Sequence, residues 1–297
     1  MLKNSSKQFL KFILVMFFGF FFATNASATT DENGAIIENN TFGTAYPIGY
    51  WQYHGSTICK LEAGKPEAFF SFTANTNDRV YSSITLAQEL LNTGVSVQIF
   101  NSSQLPITPV NSAIVNPTSI TPFIFANATS TANSQTFFIK VTRGSYVGDM
   151  FFPVAVQNRI GTGVGTFNFT GTATNAGNPS ILTNPSGVDS CVISMNLTTN
   201  STIPTGAIVK SISTASTITP SMSGVTHKIL SAQTNVWYTS SVSSATSGTF
   251  AITTANNLEV ARTWSFKYNV KPKGASTMKN VKATINYEFD KTNQFQY

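Results

Sequence analysis

Reactive side chains are scarce in this chain. Its 297 residues hold two cysteines, Cys59 and Cys191, two histidines, His54 and His227, and twelve acids. A thiolate beside an imidazole is an acyl-transfer nucleophile, and Cys191 with His227 is arithmetically available as such a pair. Cys191 sits, however, at the start of an alternating apolar run, Ser190 to Leu197, where a buried inert thiol is expected. In an exported chain Cys59 and Cys191 are also candidates for a disulfide, with two free thiols or a bridge to another chain as the alternatives. Zinc needs three or four converging ligands, and no H-x-x-x-H, C-x-x-C or H-E-x-x-H occurs. Glycoside hydrolysis needs a placed pair of carboxylates. Here Asp31, Glu32 and Glu38 lie at one end, Glu288 and Asp290 at the other, and the remaining acids are scattered. There is no G-x-S-x-G and no P-loop, and Gly161, Gly163 and Gly165 precede no helix, so a turn is expected there. No catalytic residue, metal site or cofactor is predicted, and the chain reads as a non-enzyme.

Two groups of residues suit binding instead. Tyr50, Trp51 and Tyr53 bunch beside His54, where aromatic rings either stack on sugars or fill a sandwich core. Lys267, Lys271, Lys273, Lys279 and Lys282 flank Pro272 and Gly274 in a predicted hairpin. They form either a patch for an anionic polymer or a guard against edge-to-edge strand pairing.

The elements carrying these groups are strands. Charged residues are 10% of the chain and aromatics 12%, which excludes both a disordered chain and a coiled coil. Val95, Val97 and Ile99 alternate with polar neighbours, as do Val281, Ala283, Ile285 and Tyr287. Ala68–Phe72, Thr136–Val141 and Thr263–Tyr268 are further strand-like runs, while Leu86–Leu91 is one or two helical turns at most. Many short strands between turn signals predict an all-β chain of two consecutive β-sandwich or jelly-roll domains. The small polar stretch Asn175–Ser180 marks the boundary, giving domains at 29–175 and 176–297.

Residues 1–28 read as a cleaved signal peptide. Lys3, Lys7 and Lys11 precede the apolar run Phe12–Ala23, and Ala26-Ser27-Ala28 fits the cleavage pattern. Twelve apolar residues fall short of the roughly 20 that span a bilayer, and no later run approaches that length. The mature chain would be secreted or associated with the cell surface, with no transmembrane segment. Its 15 basic and 12 acidic residues are too balanced for nucleic-acid binding. The charge is unevenly split: residues 29–175 carry six basic and eight acidic groups, residues 176–297 nine and four.

The stretch Glu38-Asn39-Asn40-Thr41-Phe42-Gly43-Thr44-Ala45 resembles the opening of bacterial prepeptidase C-terminal (PPC) domains. Gly55, the aromatic strand Phe69–Phe72 and the strand Phe137–Val141 follow in the family's order, so the resemblance covers about residues 36–172. It implies a small jelly-roll sandwich, of a kind that accompanies secreted enzymes and sometimes binds calcium. The family's Asp-x-Asp is replaced here by Gly64-Lys65-Pro66-Glu67-Ala68, and calcium is therefore not carried over.

Together these features predict a secreted, non-enzymatic protein. It would act by surface recognition or attachment to wall, matrix, polysaccharide or a protein partner, with strand edges that permit self-association. A membrane-active toxin is the alternative, because the Ser/Thr-rich run Thr239–Thr254 has the composition of an inserting hairpin. Its apolar residues break the required alternation, so a surface hairpin turning at Ser247-Gly248 is expected there. A hydrolase with a site formed only in three dimensions is the third reading.

Overall fold

Period-two burial organises the molecule: along Gln135–Thr142 the side chains of Phe137, Ile139 and Val141 are buried while their neighbours are half-exposed. The computed structural model describes residues 27–241, 248–271 and 274–297. They fall into two units, one ending at Asn158 and taking in Gln296–Tyr297, the other Arg159–Phe295. The fold is all-β; among the described residues helical turns are limited to short 3-10 segments such as Gln88–Leu90. None is long and apolar enough to cross a membrane.

The first unit contains β1 (Thr29–Thr30), β2 (Ile36–Ile37), β3 (Tyr46–Tyr50), β4 (Thr57–Leu61), β5 (Glu67–Ala74), β6 (Arg79–Thr85), β7 (Ser96–Asn101), β8 (Phe123–Thr129), β9 (Gln135–Thr142) and β10 (Met150–Asn158). One sheet has the order β1-β2-β4-β10-β6-β8 and the other β3-β5-β9-β7. Phe70, Phe72, Phe137, Ile84 and Phe152 fill the space between them, with the Phe70 and Phe152 rings meeting edge-on at 6.3 Å. At the start of the described chain the two-residue strands Thr29–Thr30 and Ile36–Ile37 pair into the first sheet. Asp31 Oδ1 accepts the amides of Asn33 and Ala35, each at 2.9 Å, and the turn sets Ile36 parallel to Cys59. The PPC-like motif has a structural use here. Asn39 is buried and donates to the Phe69 carbonyl at 2.9 Å, and Thr41 caps the turn Phe42–Thr44.

Arg143, just after β9, is buried without a carboxylate in hydrogen-bond contact. Its guanidinium donates to the carbonyls of Leu61 (3.1 Å), Lys65 (2.5 Å), Tyr146 (3.2 Å), Gly148 (2.9 Å) and Glu62. One side chain thus ties the β4–β5 loop to the β9–β10 loop.

The second unit contains β11 (Ile160–Asn168), β12 (Ala173–Asn175), β13 (Val188–Asp189), β14 (Ile193–Asn196), β15 (Ile208–Thr219), β16 (Val225–Ser231), β17 (Trp237–Thr239), β18 (Phe250–Ile252), β19 (Thr263–Val270) and β20 (Ser276–Asp290). One sheet runs β11-β20-β15-β18 with β12 also on β20, and the other β13-β19-β16-β17 with β14 also on β19. Trp264, Phe266, Tyr268 and Ile285 are fully buried between them.

Three local expectations are corrected here. Asn175–Ser180 is no linker: Asn175 is paired in β12, and buried Asn178 donates to the carbonyls of Asn184 and Lys271 at 3.0 and 3.1 Å. Gly161, Gly163 and Gly165 form no turn but alternate along β11, which joins the second unit by pairing with β20. A Cβ at Gly161 would stand 2.5 Å from the Phe289 ring and one at Gly163 2.6 Å from the Tyr287 ring, so the missing side chains make room for rings. The strands flanking each of the two predicted hairpins do not pair with one another. β17 and β18 lie in opposite sheets, as do β19 and β20. Ser247 itself lies outside the described residues, as do residues 1–26 of the predicted signal peptide.

Candidate functional site

Because β19 and β20 belong to different sheets, the predicted lysine patch is divided. Lys267 on β19 pairs with Asp189 Oδ2 at 2.8 Å, and Lys228 with Asp189 Oδ1 at 2.8 Å. The Lys267 ammonium also stands 4.3 Å from the Trp237 ring centre, a cation–π contact. Burial works against the Asp189 charge, but hydrogen bonds from Lys228, Lys267 and Asn269 outweigh it and hold the carboxyl at about 2. Lys267 is therefore committed to an internal network. Lys279 and Lys282 are exposed on β20, and Lys271 is exposed just past β19. Lys273 lies outside the described residues.

The aromatic group is divided as well. Asp78 Oδ2 accepts from Tyr50 Oη (3.1 Å), Trp51 Nε1 (2.8 Å) and the Asn75 amide (2.7 Å). Burial raises the Asp78 carboxyl, yet these three donors leave it below the ordinary aspartate value. Trp51 packs against the first unit's core, whereas Tyr53 is 87% exposed with its ring 5.2 Å from Tyr50. Trp51 is therefore packed on the first unit while Tyr53 faces solvent. Asp78→Ala should cost about 1–3 kcal/mol of stability, since it strips an acceptor from three half-buried donors. The urea midpoint of the variant measures this.

Among the described residues no hydrogen bond joins a thiol to an imidazole. Both cysteines are free. Cys59 is the buried one, its thiol pushed up to about 12 by burial, against which its hydrogen bond to Asn39 works. Cys191, expected inside a strand, is exposed just before β14, its pKa lowered by bonds from the Thr174 side chain and amide. His227 on β16 is fully buried. Its Nδ1 meets Thr214 Oγ1 at 2.8 Å, and its ring stacks on Phe250 of the opposite sheet at 3.8 Å. Burial drives its pKa down to about 3, which makes it a neutral core residue at physiological pH. Among the described residues no three His, Cys, Asp or Glu side chains are placed to hold a metal.

What the fold does assemble is a groove on the outer face of the sheet β11-β20-β15-β18. Its volume is about 680 Å³. Register explains its lining: Asn168, Lys282 and Ala215 form one cross-strand row, and Thr284 and Ser213 belong to the next, which Thr166 completes outside the groove. The Thr166 and Thr284 hydroxyls meet at 3.1 Å. A β-bulge between Ala215 and Thr217 interrupts the ladder, and opposite it Asn280 adopts a left-handed φ of 52°. Such bulges bend a strand and redirect its side chains. Here the bend accompanies the recess, and Asn280 and Thr217 line it. Apart from Ala215 and Gly248 the lining is hydroxyl and amide, with Lys282 as its ionisable side chain. Thr214 and Ser216 belong to it too, and both contact His227 beneath.

Lys282 was a sequence candidate; Asn168, Ser213, Asn280 and Thr284 were not. The outward alternation of Lys282, Thr284 and Asn286 was readable along β20. Its partners come from β11 and β15, far away in sequence.

No family model matches the chain. Among solved structures, the pre-peptidase C-terminal domain of collagenase from Bacillus anthracis is similar, at 17% identity, covering 38% of this chain and 94% of that one with a TM-score of 0.29. The tandem CBM51 modules of the family 98 glycoside hydrolase of Streptococcus pneumoniae match at 8% identity, 77% of this chain, 83% of that one and a TM-score of 0.25. In sequence, the "Uncharacterized protein YbdN" of Bacillus subtilis (strain 168) is 44% identical over 261 residues, 88% of this chain and 90% of the relative. At that identity and coverage, the chain belongs to the same family as YbdN.

Proposed function

We propose that this is an exported recognition protein without a reactive centre, attaching to an extracellular polymer through the outer groove of its second unit. The observation carrying this reading is the groove itself, a recess of about 680 Å³ lined by hydroxyls, amides and one ammonium. Rows of neutral donors and acceptors on a rigid sheet suit a ligand rich in hydroxyls, because each bond to water is exchanged for one to the ligand at little ordering cost. The same lining offers no carboxylate, imidazole or thiol to move a proton. The signal-like leader supports export, and exposed Tyr53 on the first unit adds a ring that can stack on a sugar face.

The mature protein is expected to co-sediment with insoluble cell envelope or polysaccharide. Ala215→Trp, which fills the groove from an outward position, should cut the retained fraction about tenfold while leaving the far-ultraviolet circular dichroism unchanged. Retention of Ala215→Trp at the wild-type level would overturn the groove as the binding surface. Leakage of a dye from liposomes on addition of the wild type would favour membrane attack over attachment.

A further inference from the structure

The charge in the groove narrows its ligand. Lys60, Lys140, Lys210, Lys228 and Lys267 each have a carboxylate within 3.2 Å. Lys282 has no such partner among the described residues, although it stands in the middle strand of its sheet, between Asn168 of β11 and Ala215 of β15. The acids that share its face farther along β20 are already paired, Glu288 with Lys210 at 3.1 Å and Asp290 with Arg159 at 2.9 Å. Lys279, across the bulge and opposite Thr217, is also exposed and adds a second positive charge at the same end of the sheet. A neutral ligand's hydroxyls would give the Lys282 ammonium dipoles in place of its water, whereas an anion would add an opposite charge.

We infer that the groove takes an acidic polyhydroxylated polymer: its carboxylate or phosphate pairs with Lys282, and its hydroxyls bond to Ser213, Thr217, Thr284, Asn168 and Asn280. The inference rests on the attachment reading above and adds the ligand's charge to it. An ammonium is a point charge without the planar fork of a guanidinium, so it selects for charge and tolerates either acid group. Binding weakens with salt, because the pair sits at an open surface.

The test compares polygalacturonate, poly(glycerol phosphate) and neutral dextran as probes of the full mature chain, by calorimetry or affinity electrophoresis. The wild type is expected to bind at least one acidic probe about tenfold or more tightly than dextran, and to lose that preference as salt rises from about 50 to about 500 mM. Which acidic probe binds separates a carboxylate polymer from a phosphate polymer. Lys282→Glu should weaken acidic binding about tenfold and leave dextran binding alone, while Lys65→Glu, an exposed lysine of the first unit, changes neither. Equal binding of all three probes, indifferent to Lys282→Glu yet abolished by Ala215→Trp, would overturn the acidic ligand and leave the groove standing. Acidic binding that survives both Lys282→Glu and Ala215→Trp would overturn both.

Discussion

Arg143→Met is expected to lower the unfolding free energy by about 3–5 kcal/mol, with the loss confined to the first unit. Methionine fills nearly the same space, so the effect comes from polarity rather than volume. Five carbonyl oxygens, those of Leu61, Glu62, Lys65, Tyr146 and Gly148, lose their common donor at once. Each acceptor left unpaired in a part-buried setting costs on the order of 1 kcal/mol or more, and the two loops they belong to lose their tie. Arg143→Lys keeps the charge but offers three donors on a flexible stem, and should fall between the wild type and Arg143→Met. Urea unfolding followed by fluorescence measures both. An unchanged midpoint for Arg143→Met would show that water replaces the guanidinium without loss.

Acid should destabilise the second unit through His227. In the folded state its pKa is about 3, because burial disfavours the imidazolium; in the unfolded chain it returns to about 6.5. Between these values the unfolded chain binds the proton and the folded one does not. Stability is therefore full above about pH 6.5 and falls as pH is lowered towards 3. From neutral pH to about pH 4.5 the loss from this one group is about 2–3 kcal/mol. The Asp189 carboxyl, held at about 2, adds its own loss only below the ordinary aspartate value near 4. His227→Gln removes the titration while retaining a polar group beside Thr214. Its stability should change less than the wild type's between about pH 7 and about pH 4.5, by that same 2–3 kcal/mol. Parallel pH profiles for the two proteins would refute the account.

The strands themselves were legible from their alternation: Phe69–Phe72 lies in β5, Val97 and Ile99 in β7, Phe137–Val141 in β9, and Val281–Tyr287 in β20. Which sheet each strand enters was not. Ser247-Gly248 and Pro272–Gly274 look like hairpin tips, because turn residues report that the chain changes direction but not what the next strand pairs with. This is why Lys267 on β19 comes apart from Lys279 and Lys282 on β20, and why the groove, built from β11, β15 and β20, was invisible. Glycine misled for a related reason. At Gly161 and Gly163 the demand is for ring space beside Phe289 and Tyr287, and only the pairing register reveals it. Asn178 shows the same limit, since a polar residue in a small-residue stretch reads as solvent-facing until its backbone partners at Asn184 and Lys271 are known.

The placement of β20 also governs when the second unit can form. It is the strand on which β11, β12 and β15 all pair, and it runs from Ser276 to Asp290, near the end of the chain. Phe167 must find Ala283, and Thr162 must find Glu288, across more than a hundred intervening residues. Such distant pairings make acquisition of the native state slow, since a large loop must close before any contact rewards it. Until Ser276–Asp290 is in place the sheet of β11, β12 and β15 has no common partner, and only the other sheet of this unit, organised on β19, can assemble.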